Sequence, residues 1–192
     1  GVLLRQTLMA LGVGLYATMI QAQPDLKQGE ALYERHCSAC HGEQGDGRGE
    51  AERYLFPKAR DFTAGVFKFR STPSGAPPTD EDLYRTARYG VAGTSMPSFA
   101  RLSDGELESV IAHVKSFSDI FEDEDAWESP IRIGRPPEPS ARSIARGAAI
   151  YQDLECDRCH GDKGRGDGPS AEKLTNDWDQ PIRPYDLTRG PR

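Results

Sequence analysis

Hydrophobic positions along the chain recur at helical spacing. Residues 25–37 predict a short amphipathic helix, because their apolar and small positions fall on one face: Leu26, Gly29, Leu32 and Tyr33. Residues 79–89 predict a second helix, with Thr79 as its N-cap and Gly90 after its last residue. A third helix is predicted after the capping box of Ser103 and Glu106, and its apolar face contains Leu107, Val110, Ile111, Val114, Phe117 and Phe121. No segment shows a convincing strand pattern, so we expect a mostly α-helical protein.

The first helical pattern returns in the second half of the chain. The Gly-x-x-x-Tyr step of Gly29 and Tyr33 is repeated by Gly147 and Tyr151, and a glycine-rich loop follows in both halves. Residue 37 is echoed by residue 156, at an offset of 119 positions, whereas residues 60–65 are echoed by residues 185–190, at an offset of 125. We interpret the chain as an internal duplication with a six-residue insertion around residues 176–181.

Composition divides the chain into four segments. Residues 1–22 have the pattern of a signal peptide, with Arg5, an apolar run over residues 8–20 and the small Ala22 as a cleavage point. A retained membrane anchor is the alternative, but the run is short for a bilayer span of about 20 residues. Residues 23–120 are predicted to form a first unit, 121–142 an acidic and proline-rich linker, and 143–192 the N-terminal half of a second unit. The linker is either a solvated spacer or an acidic docking patch for a cationic redox partner.

Composition and charge limit the classes of partner. Of 192 residues 36% are apolar, with 20 glycines and 14 prolines. Two small units with so few core-forming side chains need a further apolar component. The formal net charge of −6 argues against nucleic acid or an anionic membrane surface as the main partner. A basic or neutral protein partner fits better.

Both units contain two cysteines separated by two residues and followed at once by a histidine. The first motif is Cys37, Cys40 and His41, and the second is Cys156, Cys159 and His160. This is the attachment signature of c-type haem, in which the thiols form thioethers and the adjacent imidazole binds iron. The alternatives are two disulfides, a four-cysteine zinc site, whose pairs usually lie about 15–20 residues apart, and a thioredoxin-like centre, which needs a βαβ context. We therefore expect two covalently attached haem c groups.

Met96 is the candidate sixth ligand of the first iron. It lies in the turn-forming segment Gly-Thr-Ser-Met-Pro, residues 93–97, between two predicted helices, and it is the only methionine outside the predicted signal peptide. A thioether favours ferrous iron, so His/Met ligation raises the reduction potential. The other two histidines, His36 and His113, are expected at the surface.

Three further residues are candidate neighbours of the first haem. Arg60 and Arg70 could face the haem propionates, since a guanidinium matches a carboxylate well, and a solvated surface position is the alternative. The carbonyl of Pro57 is a candidate acceptor for the second N–H of the proximal imidazole.

The second iron has His160 and no visible partner. At an offset of 125 positions the counterpart of Met96 would fall near position 221, whereas the chain ends at Arg192. We therefore expect a truncated second unit, whose iron is open, water-bound or ligated from another subunit.

The first unit resembles a class I cytochrome c domain at its CxxCH motif, at Met96-Pro97 and at the capped helix after Ser103. The resemblance covers residues 25–118 fully and residues 144–192 as the front half of a domain. The tandem arrangement is similar to exported dihaem cytochromes c, and residues 61–72 resemble those associated with bacterial respiratory oxidoreductases.

The resemblance implies one-electron transfer between redox protein partners. It implies haem attachment at Cys37, Cys40, Cys156 and Cys159, His41 and His160 as proximal ligands, and Met96 as the distal ligand. With the predicted signal peptide, it indicates a periplasmic electron carrier that is not an enzyme and has no small-molecule substrate. Two alternatives stay open: a dihaem peroxidase with an open second haem, and a permanent electron-transfer subunit of a periplasmic or membrane-associated oxidoreductase complex.

Overall fold

A computed structural model describes residues 23–176 and 179–189. Six α-helices lie in these residues: α1 Leu26–His36, α2 Ser38–His41, α3 Asp80–Tyr89, α4 Asp104–Lys115, α5 Ala141–Asp153 and α6 Asp157–His160. Short 3₁₀ turns lie at Glu52–Tyr54, Asp119–Phe121, Glu124–Ala126, Ala171–Lys173 and Leu187–Arg189. The described part of the chain contains no strand, only an isolated bridge between Thr175 and Pro181. The expected mostly α-helical fold is confirmed.

The long helices of the first unit begin at side-chain caps, and the sequence predicts those of α3 and α4. The Asp25 carboxylate accepts hydrogen bonds from two backbone N–H groups at the start of α1. Thr79 with Asp82, and Ser103 with Glu106, form complete capping boxes before α3 and α4. These contacts satisfy N–H groups that a helix start leaves without a partner, so each helix begins where its local sequence dictates.

Helices α1 and α4 cross at a glycine. A Cβ atom on Gly29 would lie 2.1 Å from the carbonyl oxygen of Ser109, so only a residue without a side chain allows this approach. One turn further along α1, the buried Tyr33 ring lies 5.1 Å from the rings of both His113 and Phe117. The crossing joins the start of the first unit to its end, and Leu107 of α4 is buried.

A buried carboxylate ties α3 to the loop before it. Asp82 is 2% exposed, and one of its oxygens accepts hydrogen bonds from the backbone N–H and the hydroxyl of both Ser71 and Thr79. Burial opposes the ionised form of Asp82, but these four bonds outweigh it and hold its pKa below the usual range. These hydrogen bonds hold α3 against residues 71–79.

The second unit repeats α1 and α2 as α5 and α6. Helix α5 begins at Ser140, which forms a capping box with Ser143. A Cβ placed on Gly147, the counterpart of Gly29, has no described atom within 4 Å apart from the backbone of its own helix. Within the described residues after α6, only the 3₁₀ turns at Ala171–Lys173 and Leu187–Arg189 follow, so this unit is shorter than the first.

The start of the predicted linker contacts the first unit. The Phe121 ring lies 5.4 Å from that of Phe67 and 6.3 Å from that of Trp127. The Ile131 N–H donates to the Ser71 carbonyl. Residues 132–142 of the linker are exposed.

The predicted signal peptide, residues 1–22, lies outside the described residues. Among the residues that are described, no helix is both long and apolar enough to cross a bilayer.

Candidate haem site

The first CxxCH motif and Met96 line the same cavity. Cys37 and Cys40 lie at the start and inside of α2, and His41 is its last residue. With Met96, these side chains line a cavity of about 490 Å³, a volume typical of a cofactor site. The wall includes apolar side chains from α3 and α4, namely Leu83, Leu107, Val110, Ile111 and Val114. The structure therefore brings together the four residues that the sequence assigns to the first haem.

The His41 imidazole is held in one tautomer. Its Nδ1 lies 3.0 Å from the Arg60 carbonyl oxygen, which can only accept, so Nδ1 carries the proton and Nε2 has the free lone pair. The residue is 8% exposed, and burial lowers its pKa, against the opposing effect of the Arg60 carbonyl. A neutral imidazole with Nε2 free is the form that coordinates iron. The accepting carbonyl is that of Arg60, and our prediction of Pro57 was wrong, although Pro57 also lines the cavity.

The cysteines of both motifs are half-buried and form no disulfide. Burial, with a smaller effect of the neighbouring Cys40, raises the pKa of Cys37 to about 12. Redox-active cysteines of the thioredoxin type need a lowered pKa instead. None of the described residues forms a group of three or more His, Cys, Asp or Glu side chains able to hold a metal ion, so the two cysteine pairs do not build a four-cysteine zinc site.

The Met96 segment doubles back onto the end of α3. The Val91 N–H donates to the Met96 carbonyl, and the Met96 N–H donates to the Thr94 hydroxyl, both at 3.1 Å. Gly90, with φ of +69°, allows the turn, because a Cβ there would lie 2.6 Å from the Pro97 backbone. The turn delivers Met96 to the cavity wall from outside any helix.

Other predicted neighbours of the haem have different outcomes. Arg60 lines the cavity. The Arg70 guanidinium instead donates to the backbone carbonyls of Phe67 and Pro73.

The two remaining histidines were both predicted at the surface. His36 is exposed, as predicted. The prediction of a surface position for His113 was wrong: it is half-buried, because α1 places Tyr33 against its ring and Phe117 lies 4.9 Å away. Burial lowers the pKa of His113, opposed by two glutamates of α1.

The second motif repeats the geometry of the first. His160 Nδ1 donates to the Tyr185 carbonyl at 2.9 Å, as His41 does to that of Arg60. In both units the histidine carbonyl accepts from a loop glycine at 2.8 Å, and a helix tyrosine, Tyr33 or Tyr151, donates to the glycine after the motif at 2.7 Å. The extra residues of the second copy lie between the 3₁₀ turn at Ala171–Lys173 and Tyr185, where the sequence placed the insertion.

Sequence reasoning missed the aromatic ring beside the first imidazole. Phe62 stacks on His41 with a centroid distance of 4.4 Å and an interplanar angle of 15°. Its position two residues after Arg60 could have indicated it, since the backbone that offers the carbonyl also carries the ring.

Family models match both units. A model described as "Cytochrome C oxidase, cbb3-type, subunit III" matches residues 24–114, and one described as "Cytochrome c" matches residues 144–189. The chain belongs to the class I cytochromes c. These matches, with the cavity that joins a CxxCH motif to Met96, make it a haem protein of electron transfer in which haem c is covalently bound.

Relatives of this cytochrome c occur in larger redox proteins and complexes. It is 35% identical over 96 residues to a thiosulfate dehydrogenase of Allochromatium vinosum, a match that covers 43% of this chain and 34% of the relative. The chain thus spans about a third of that curated relative. It is also similar to a solved chain of the reducing HAO-like protein complex of Kuenenia stuttgartiensis, with 44% identity, a TM-score of 0.80, and coverage of 88% of this chain and 77% of that one.

Proposed function

We propose that this cytochrome c is an exported dihaem protein that passes single electrons between redox protein partners. The observation that carries the proposal is the convergence of Cys37, Cys40, His41 and Met96 on one cavity with apolar walls. The two thiols would hold haem, Nε2 of His41 would bind the iron, and the Met96 sulfur would complete its coordination. The bound group supplies an Fe(II)/Fe(III) couple. The chain's residues fix the ligands and keep water from the metal.

The repeated geometry at His160 supports a second haem. Its imidazole has the same tautomer as that of His41, because a backbone carbonyl accepts from Nδ1 in both units. Both cysteines of the second motif are unbridged. Cys156 and Cys159 would attach the group, and His160 would be its proximal ligand.

The partner is a redox protein, and two features support it. The net charge of −6 disfavours nucleic acid. A solved chain whose match covers 88% of this chain belongs to a protein complex described as reducing. The same likeness favours a second candidate function, a permanent electron-transfer subunit of an oxidoreductase complex. Export to the periplasm would supply the compartment in which covalent haem attachment takes place, and the pattern of residues 1–22 supports it.

The haem count tests the proposal. The full chain is produced in a host that attaches haem c, and intact-mass measurement should show two haem additions. Cys37→Ser/Cys40→Ser and Cys156→Ser/Cys159→Ser are matched variants, and each should lose one haem. A parent protein without covalent haem would refute the proposal, and loss of haem only in the first variant would refute the second site.

Spectroscopy separates the carrier from the peroxidase alternative. An electron carrier should show a reversible one-electron step at each haem and no turnover of hydrogen peroxide. A high-spin second haem together with peroxide turnover would favour the enzyme. Purification of the native protein in a stable assembly with a catalytic subunit would favour the permanent subunit.

A further inference from the structure

The His41 imidazole is restrained on two sides. The Arg60 carbonyl accepts its Nδ1–H at 3.0 Å, at the edge of the ring. Phe62 lies against its face, nearly parallel, with centroids 4.4 Å apart. A single hydrogen bond at one edge leaves the ring free to rock about that bond. A second ring against the face blocks this motion, so the two contacts together define the plane of the imidazole.

Phe62 is itself fixed by its surroundings. Its backbone N–H donates to the Gly45 carbonyl at 2.7 Å, which sets the course of the segment. The preceding Asp61 carboxylate closes a turn by accepting from Thr63. The Phe62 ring is nearly parallel to the rings of Phe67 and Phe117, at 6.1 and 6.4 Å. These neighbours leave Phe62 little freedom to move away from the imidazole.

The second unit has the same backbone without the ring. Leu187 occupies the position of Phe62, and its N–H donates to the Gly164 carbonyl at 2.7 Å. Asp186 closes the same turn by accepting from Thr188. Leu187 is 50% exposed. The hydrogen bond at the edge of the histidine ring is therefore present in both units, and among the residues that the structure describes only His41 has an aromatic ring stacked on its face.

We propose that Phe62 is a positioning residue that fixes the orientation of the His41 imidazole plane at the iron, and that Leu187, its counterpart, leaves the His160 imidazole without this restraint. The inference rests on the proposed function, since it needs iron bound at both histidines. The π orbital of the imidazole, which is perpendicular to the ring, overlaps d orbitals of the iron. The orientation of the ring about the metal–nitrogen bond therefore sets the energy splitting of these d orbitals. A ring held in one orientation by its neighbours gives narrow EPR and NMR signals, and a ring with several orientations gives broad ones.

The test compares Phe62→Leu with the parent by EPR and paramagnetic proton NMR of the oxidised full chain. Phe62→Leu should shift and broaden the signals of the haem that has the sulfur-to-iron charge-transfer band, while that band persists because Met96 is unchanged. Phe62→Tyr keeps a ring and should restore the parent signals. Phe121→Leu is the matched control, because Phe121 contacts Phe67 and Trp127 and is one ring removed from Phe62. It should lower stability and leave the haem signals in place.

The reciprocal change, Leu187→Phe, places a ring on the second histidine in a chain whose first site is intact. Leu187→Phe should narrow the EPR and NMR signals of the haem at His160 and leave those of the haem at His41 unchanged. Superimposable spectra for the parent, Phe62→Leu and Leu187→Phe would overturn the inference, and so would equal signal shifts in Phe62→Leu and Phe121→Leu. A parent protein that carries no haem would instead refute the proposed function, so the two failures are distinguishable.

Discussion

The same substitution in the two copies, Gly29→Ala and Gly147→Ala, should change stability in opposite directions. Alanine is favoured over glycine inside a helix by about 1 kcal/mol. At Gly147 the described part of the chain places no atom outside the backbone of α5 itself within 4 Å of the new methyl group, so we expect a gain of up to about 1 kcal/mol. At Gly29 the methyl carbon would lie 2.1 Å from the Ser109 carbonyl oxygen, where ordinary contact begins near 3.4 Å.

The overlap at Gly29 exceeds 1 Å and involves backbone on both sides, so no side-chain rotation relieves it. Helices α1 and α4 must separate, at a cost at the upper end of the range of about 1–3 kcal/mol for overpacking. After the gain in helix propensity, we expect a net loss of about 2 kcal/mol. For a unit of about 100 residues this corresponds to a fall in Tm of about 8–16 °C.

Thermal and urea unfolding of the haem-loaded chain, followed by far-UV circular dichroism and by Soret absorbance, measures both variants against the parent. A neutral or stabilised Gly29→Ala protein would refute the close crossing of α1 and α4. Equal destabilisation by Gly147→Ala would refute the open surroundings of α5.

Three other outcomes follow from single contacts. Tyr33→Phe removes a 2.7 Å hydrogen bond to the Gly42 carbonyl, which keeps another N–H donor, so urea unfolding should show a loss of about 0.5–1.5 kcal/mol. Tyr151→Phe removes the same bond at a half-buried position and should cost less; equal losses would contradict this reasoning. Asp82→Asn should cost about 1–3 kcal/mol near neutral pH. Because the folded pKa of Asp82 is lowered, its contribution is complete above about pH 5 and is lost as the pH falls through that pKa, so the gap to the parent should close in acid, and a constant gap would count against it. Met96→Leu should keep covalent haem, lose the sulfur-to-iron charge-transfer band and lower one reduction potential; an unchanged optical spectrum and redox titration would exclude Met96 as a ligand.

The features that could be predicted are those that depend on residues close in sequence. The capping box of Ser103 and Glu106 joins residues three positions apart, and the structure forms it where the pattern predicts. A helical hydrophobic face is likewise a local property, and Leu107, Val110 and Ile111 are buried on α4. The prediction extended this helix too far, because α4 ends at Lys115, before Phe117 and Phe121. The CxxCH spacing is set by the chemistry of attachment, so both motifs were visible without any structure.

The features that were missed depend on which distant segments meet. His113 lies off the apolar face of its own helix and was expected in solvent, but α1 crosses there and places Tyr33 against it. Ser109 is 2% exposed for the same reason, although a serine gives no hydrophobic signal. The acceptor for His41 is a backbone carbonyl, which every residue has, so only the path of the loop could select Arg60 over Pro57.

The amino-acid sequence by itself determined the main helices, the N-caps of α3 and α4 and the residues able to attach haem, because each follows from spacing within a few residues, and the recurrence of these patterns determined the duplication. It could not tell Gly29 from Gly147 or assign Phe62 to the imidazole face. Those outcomes depend on packing between segments tens of residues apart: helix α1 lies against α4, whereas no other described segment contacts the glycine of α5. The two halves share the same short-range residue patterns, and contacts with distant segments decide the role of each repeated residue.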